Sequence, residues 1–223
     1  MYEAIRGPLI FIHWVTFGIV SLILIIRFLN LYKLSRDKDK VIYDNWSWTW
    51  AFRSIVHWLI PFGSQSMRNH PFVTMVYFSF HVTLFAMPVF LSSHIFFWKQ
   101  PTHAGWWAFS DRVADLMTLV FLASVLFIAI RRSVASEVRI ITTISDYLLL
   151  ALVTAMFITG YMAYHRWIVL GINYKNILIL HILLGELLMI LIPFTKLGHM
   201  ILFFFTRAIV GIEFGGRRGA RTW

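Results

Sequence analysis

Cysteine is absent from the 223 residues. That rules out disulfides, thiolate-bound iron–sulfur clusters and thioether-attached haem within this chain. Charge is scarce as well: only 13% of residues are charged, and the ten acids are outnumbered by 20 Lys and Arg. Against this, 59% of the chain is hydrophobic. A soluble domain of this length cannot hide so much apolar surface, so lipid must be part of its solvent. No internal repeat or low-complexity segment interrupts the chain, which argues for one membrane domain over residues 1–223. The opening "MYEAIRGP" lacks the ordered basic region, apolar region and cleavage site of a secretory signal, so the first apolar stretch is expected to be retained.

About 20 apolar residues cross a bilayer as a helix. Five stretches qualify, roughly 8–30, 72–98, 114–130, 147–165 and 177–205. The fold class expected is therefore an all-α membrane protein, a bundle of five transmembrane helices. Threaded this way, one face carries Arg27, Lys33, Arg36, Lys38, Lys40, Arg53, Arg68, Arg131, Arg132, Arg139, Lys196, Arg207, Arg217, Arg218 and Arg221. The other carries Arg6, Lys99, Arg112, Arg166 and Lys175. The excess of basic residues marks the cytoplasmic side, placing the N-terminus outside and the C-terminus inside. Topology thus accounts for the net charge of +10, and nucleic-acid binding is not expected. Trp98, Trp106, Trp107 and Trp167 fall at the outer ends of spans, where amphipathic rings prefer the interface. The stretch 46–62, "WSWTWAFRSIVHWLIPF", reads as a helix lying at the cytoplasmic interface, and 211–223, "GIEFGGRRGARTW", as an extended tail.

Nine histidines remain to be explained, at 13, 57, 70, 81, 94, 103, 165, 181 and 199. An ionisable group inside a membrane is costly and invites a functional reading, with a neutral, hydrogen-bonded imidazole as the plain alternative. His181 and His199 lie 18 residues apart, five whole helical turns, so they share a face about 27 Å apart along the axis. On the second span His81 and His94 are separated by 13 residues, about 20 Å. The two spans run antiparallel, which sets His94 beside His181 toward the outside and His81 beside His199 toward the cytoplasm. Two bis-histidine sites stacked across the bilayer suit a pair of haem irons with imidazole axial ligands. The 13-residue interval rotates His94 about 140° from the face of His81, a mismatch that a kink at Pro88 would correct. His70, eleven residues before His81, shares its face better but spans only about 17 Å. His81 with His94 is the preferred pair, and His70 the substitute for either. Zinc would need converging spacings such as HxxxH, which are missing. Ser92, Ser93, Gly185 and Gly198 would admit a flat macrocycle, though small residues also serve ordinary helix packing.

The stretches "LHILLGELLMILIPFTKLGHM", "FHVTLFAMPVFLSSHI" and "RSVASEVRIITTISDYLLLALV" occur in an order that resembles the gamma subunits of respiratory nitrate reductases, five-span di-haem cytochromes b. The resemblance covers most of the chain beyond residue 72. Upstream, "WLIPFGSQSMRNHPF" looks more like the cytochrome b subunits of transmembrane redox complexes of sulfate-reducing bacteria. Within that branch the tetrahaem (type II) cytochrome c3 complex is the nearer likeness and the high-molecular-weight cytochrome c complex the next. The likeness implies two haems b, the outer on His94 and His181 and the inner on His81 and His199. It also implies a multi-pass subunit of the cytoplasmic membrane working with a periplasmic multihaem cytochrome c, other membrane subunits and a cytoplasmic iron–sulfur subunit of heterodisulfide-reductase type. One departure is the His–His interval on the second span, which is shorter in the nitrate reductase subunits; it bears on haem tilt and on any menaquinone pocket.

Haem propionates need cations or water, and the candidates are Lys99 and Arg112 outside and Lys196, Arg131, Arg132 and Arg68 inside; for each, plain topological anchoring is the competing reading. Glu186, the acid deepest in a span, is read as a proton or quinone-site group, or as a partner of Arg112 or Lys175. His165 is a second quinone-site candidate, while His13 is expected to pack and His57 and His103 to be solvated. Two other functions compete with an electron relay: a subunit that itself oxidises quinol, and a non-redox transporter or scaffold using its histidines as proton carriers. The repeats expected of such transporters are missing from the chain.

Overall fold

The computed structural model describes residues 2–169 and 171–220, with side chains of the first helix from Gly7 onward. The side chain of Arg6, assigned above to the outer face, and Arg221, assigned to the inner, lie outside the described residues. The chain opens with helices Tyr2–Lys38 (α1), Lys40–Asp44 (α2), Trp48–Leu59 (α3) and Gln65–Asn69 (α4). Pro71–Phe90 (α5), Ser92–Thr102 (α6), Asp111–Val134 (α7), Ser136–Arg139 (α8) and Ile144–Tyr164 (α9) follow, then Tyr174–Leu191 (α10) and His199–Val210 (α11). Among the described residues there is no strand beyond one isolated bridge, Val169 to Ile172.

Six segments among the described residues are long and apolar enough to cross a membrane: Gly7–Lys38, Pro71–Phe90, Asp111–Val134, Ile144–Tyr164, Tyr174–Phe194 and Lys196–Arg217. The all-helical, multi-pass character expected from hydropathy is therefore present. The sixth segment is new, because hydropathy alone joins 177–205 into one span. Pro193 has no amide hydrogen to continue the α ladder, and the chain tightens into 3₁₀ turns at Ile192–Phe194 and Lys196–Gly198 around an extended Thr195. A second span also divides. Pro88 sits near the end of α5, and Leu91 turns extended at φ −76°, ψ 129° before α6 begins. The expected helix over 72–98 is thus two helices meeting at Leu91.

The chain forms two compact units, and the segment Pro71–Leu184 is one of them. Its helices α5, α7 and α9 are joined by an aromatic ladder. Phe121, with no exposed surface, stacks on Phe157 at 3.6 Å and on Phe80 at 5.3 Å between ring centroids. Small hydroxylated residues let these helices approach: the hydroxyls of Thr83, Thr118, Ser124 and Thr159 donate to carbonyls one turn back, so burying them strands no donor. The outward faces are apolar, as at Leu116, Leu126 and Leu148, which suits lipid as their solvent. A capping box at Thr143 and Asp146 starts α9, and Arg131 and Arg132 in the last turn of α7 complement its dipole.

The other unit comprises residues 1–70 and 185–223. Here the segment read as an interfacial helix is indeed helical as α3, and its small face packs on α11. The residues from Gly211, expected to be an extended tail, instead continue as a π-helical turn through Arg217. Burial explains the difference: Ile212 joins Ile42, Ala51 and Ala208 in a core, and Glu213 binds Arg217 and Arg218. Gly211 is required there, because an added Cβ would lie 2.4 Å from the Trp50 carbonyl oxygen. Arg207 stacks over the Trp58 ring at 4.5 Å.

Candidate functional site

His94 lies in the first turn of α6, and the extended backbone at Leu91 sets its direction. Its ring is parallel to that of His181 on α10 within 6°, with centroids 6.1 Å apart. Two bonds of about 2 Å from one metal to facing imidazole nitrogens, plus roughly 1 Å from each nitrogen to its ring centre, give a centroid separation of about 6 Å. The separation of the two rings is therefore one that two nitrogen ligands of a single metal ion would have, and haem iron is a metal that accepts such a donor pair.

The surroundings of His181 sharpen this. Its Nδ1 lies 2.9 Å from the Met156 carbonyl oxygen, which can only accept, so Nδ1 carries the proton and Nε2 the lone pair. The Thr159 hydroxyl oxygen is 3.5 Å from the same nitrogen. Met156, Thr159 and Gly160 stand at i, i+3 and i+4 of α9, one face of the helix. At Gly160 an added Cβ would fall 2.8 Å from Cε1 of His181. Helix α9 thus orients the imidazole by a main-chain acceptor and a missing side chain, the supporting role outer groups play around metal ligands.

The other two histidines also bond main-chain oxygens, each within its own stretch of chain. His81 donates from Nδ1 to the Tyr77 carbonyl at 2.7 Å, and His199 from Nδ1 to the Lys196 carbonyl at 2.6 Å. Each therefore has its lone pair on Nε2. His81 belongs to the 71–184 unit and His199 to the other, so each is described in its own surroundings. Tyr77, one turn before His81, carries Arg131 over its ring at 5.9 Å, with the guanidinium 3.4 Å from its hydroxyl.

The remaining sequence candidates scatter. Lys99, Arg112 and Lys196 are exposed, and His70 is exposed at the end of α4. His165 donates or accepts with Asp115 at 2.9 Å. Arg132 approaches Thr142 and Asp146, a contact that ties α7 to the start of α9. Arg68 closes the turn after α3 by donating to the carbonyls of Phe62 and Gly63. His103 is exposed as expected, whereas His57 is half-buried beside Trp58. Of the small residues singled out, Ser92 and Ser93 are exposed and Gly185 faces open space. The glycine that touches a ligand candidate is Gly160, which the sequence reading missed; a lone glycine in the apolar run "FITGYM" was its only signal.

Glu186 requires a correction. Expected, on one reading, to partner Arg112 or Lys175, it bonds His13, whose Nδ1 is 2.5 Å from Oε1. His13 is therefore not merely a packing residue. The two are 173 positions apart, beyond the reach of any local pattern.

No family model matches the chain. A protein of Nitratidesulfovibrio vulgaris (strain Hildenborough) is 38% identical over 172 residues, 77% of this chain and 74% of the relative. This chain belongs to that protein's family. The relative is described only as a protein, so the kinship carries no activity with it. No solved structure matches.

Proposed function

We propose that the chain is the di-haem b membrane subunit of a respiratory complex, relaying electrons across the cytoplasmic membrane. Its partners would be a periplasmic multihaem cytochrome c, or menaquinone, on the outer side, and an iron–sulfur subunit on the cytoplasmic side. The observation that carries the reading is the parallel pair of His94 and His181 at 6.1 Å. Haem would supply reversible one-electron chemistry. The chain's own residues bind and orient: His94 and His181 offer one ligand pair, Met156 fixes the tautomer of His181, and Gly160 leaves it room. His81 and His199, with their Nδ1 atoms likewise held by carbonyls, are the candidate ligands for the second haem. Arg131, which contacts the side chain of Tyr77 one turn before His81, is taken as the propionate contact on that side.

The reading takes α1, α5, α7, α9 and α10 as the five crossings, N-terminus outside. The sixth apolar segment is taken as an interfacial layer because α11 and the π turn pack on α3 and carry Arg207, Arg217 and Arg218. A sixth crossing would move the last two to the face poor in basic residues.

A reduced-minus-oxidised spectrum of the purified chain, with haem extraction, tests the proposal. Two haems b per chain are expected, and His94→Ala and His181→Ala should each remove the same one. A chain without the reduced α-band, or single variants that remove different haems, would overturn it.

A further inference from the structure

A carboxyl group and an imidazole meet within the spans at Glu186 and His13, and neither is used by the relay described above. Glu186 is only 7% exposed and is the one acid in α10. Its Oε1 lies 2.5 Å from Nδ1 of His13 on α1, close enough that a single proton lies between them. Its Oε2 is buried with no hydrogen-bond partner. An ionised carboxylate would leave much of its charge on that bare oxygen, at a high cost in a low-dielectric interior. With the proton on Oε1, the bare atom becomes a carbonyl oxygen, whose burial costs far less. In that state the acid donates from Oε1 to the His13 imidazole. The two partners also differ in access, since the His13 side chain is 25% exposed and that of Glu186 9%. His13 lies in the N-terminal third of α1, which runs Tyr2–Lys38.

We propose that His13 and Glu186 form an intramembrane proton-exchange site, with Glu186 storing one proton and His13 passing it to and from the membrane surface. In the outward step the Oε1–H bond breaks and Nδ1–H forms, while the proton on Nε2 leaves to a water or other base at the surface. The inward step is the reverse, and no electron moves. An imidazole can do this because its two nitrogens exchange roles across one ring. The site does not depend on haem, so it stands or falls apart from the electron relay.

Infrared spectroscopy of the full-length purified chain during exchange from H2O into D2O is the test. The wild-type chain should show a protonated-carboxyl C=O band that Glu186→Gln removes and that moves on deuteration. His13→Asn keeps a hydrogen-bond partner for the acid but has no second ring nitrogen to hand the proton on. It should leave the band in place and slow its shift at least tenfold, and His13→Leu should do the same if the Asn variant does not fold. Loss of only carboxylate bands in Glu186→Gln would overturn the storage role. An unchanged exchange rate in the His13 variants would overturn the route.

Discussion

Gly160 is where a single methyl group should matter most. An alanine there would place Cβ 2.8 Å from Cε1 and 3.1 Å from Nδ1 of His181, both tighter than van der Waals contact. The imidazole would have to leave Met156 or the helices part, an overpacking strain of about 1–3 kcal/mol. On the proposed ligation, Gly160→Ala should therefore lower haem occupancy at the His94–His181 pair and spare the second site, read as haem per chain and as loss of one component in a redox titration. The histidines were legible in the sequence because an imidazole in an apolar run is rare enough to stand out. Gly160 and the His13–Glu186 bond were not, because each depends on contact between helices far apart in the chain.

Hydropathy located the long helices well but could not see where they break. Pro88 and Pro193 were visible, yet the first break emerges at Leu91 and the second spreads over 3₁₀ turns from Ile192 to Gly198. The effect of a missing amide depends on what the freed carbonyls find, and that is a property of the packed neighbours. The C-terminal segment misled for a similar reason: its glycines suggested extension, but in place they allow a π turn to lie against α3. Gly211→Ala, with Cβ directed into the Trp50 carbonyl and the Cβ of Ser54 at 2.5 Å, should lower the melting temperature of the detergent-solubilised chain. Since a backbone oxygen cannot swing aside, the loss should be about 1–3 kcal/mol, and an unchanged melt would show that the packing of α3 on the π turn is not needed for stability.

The absence of cysteine makes the threading of the entire molecule directly measurable, since any introduced thiol reports alone. Ser136→Cys, between α7 and α9, should react with a membrane-impermeant maleimide only from the cytoplasmic side, and Gly105→Cys, between α6 and α7, only from outside. Gly219→Cys then decides the count: labelling from the same side as residue 136 fits five crossings, and from the opposite side six. How the molecule holds its imidazoles has a consequence for heredity. The acceptors at 156 and 196 are peptide oxygens, present whatever side chain the codon specifies. If the proposed ligation holds, a saturation scan should therefore find positions 156 and 196 permissive and 181 and 199 intolerant, so the alignment of the rings can outlast wide drift in the letters around them.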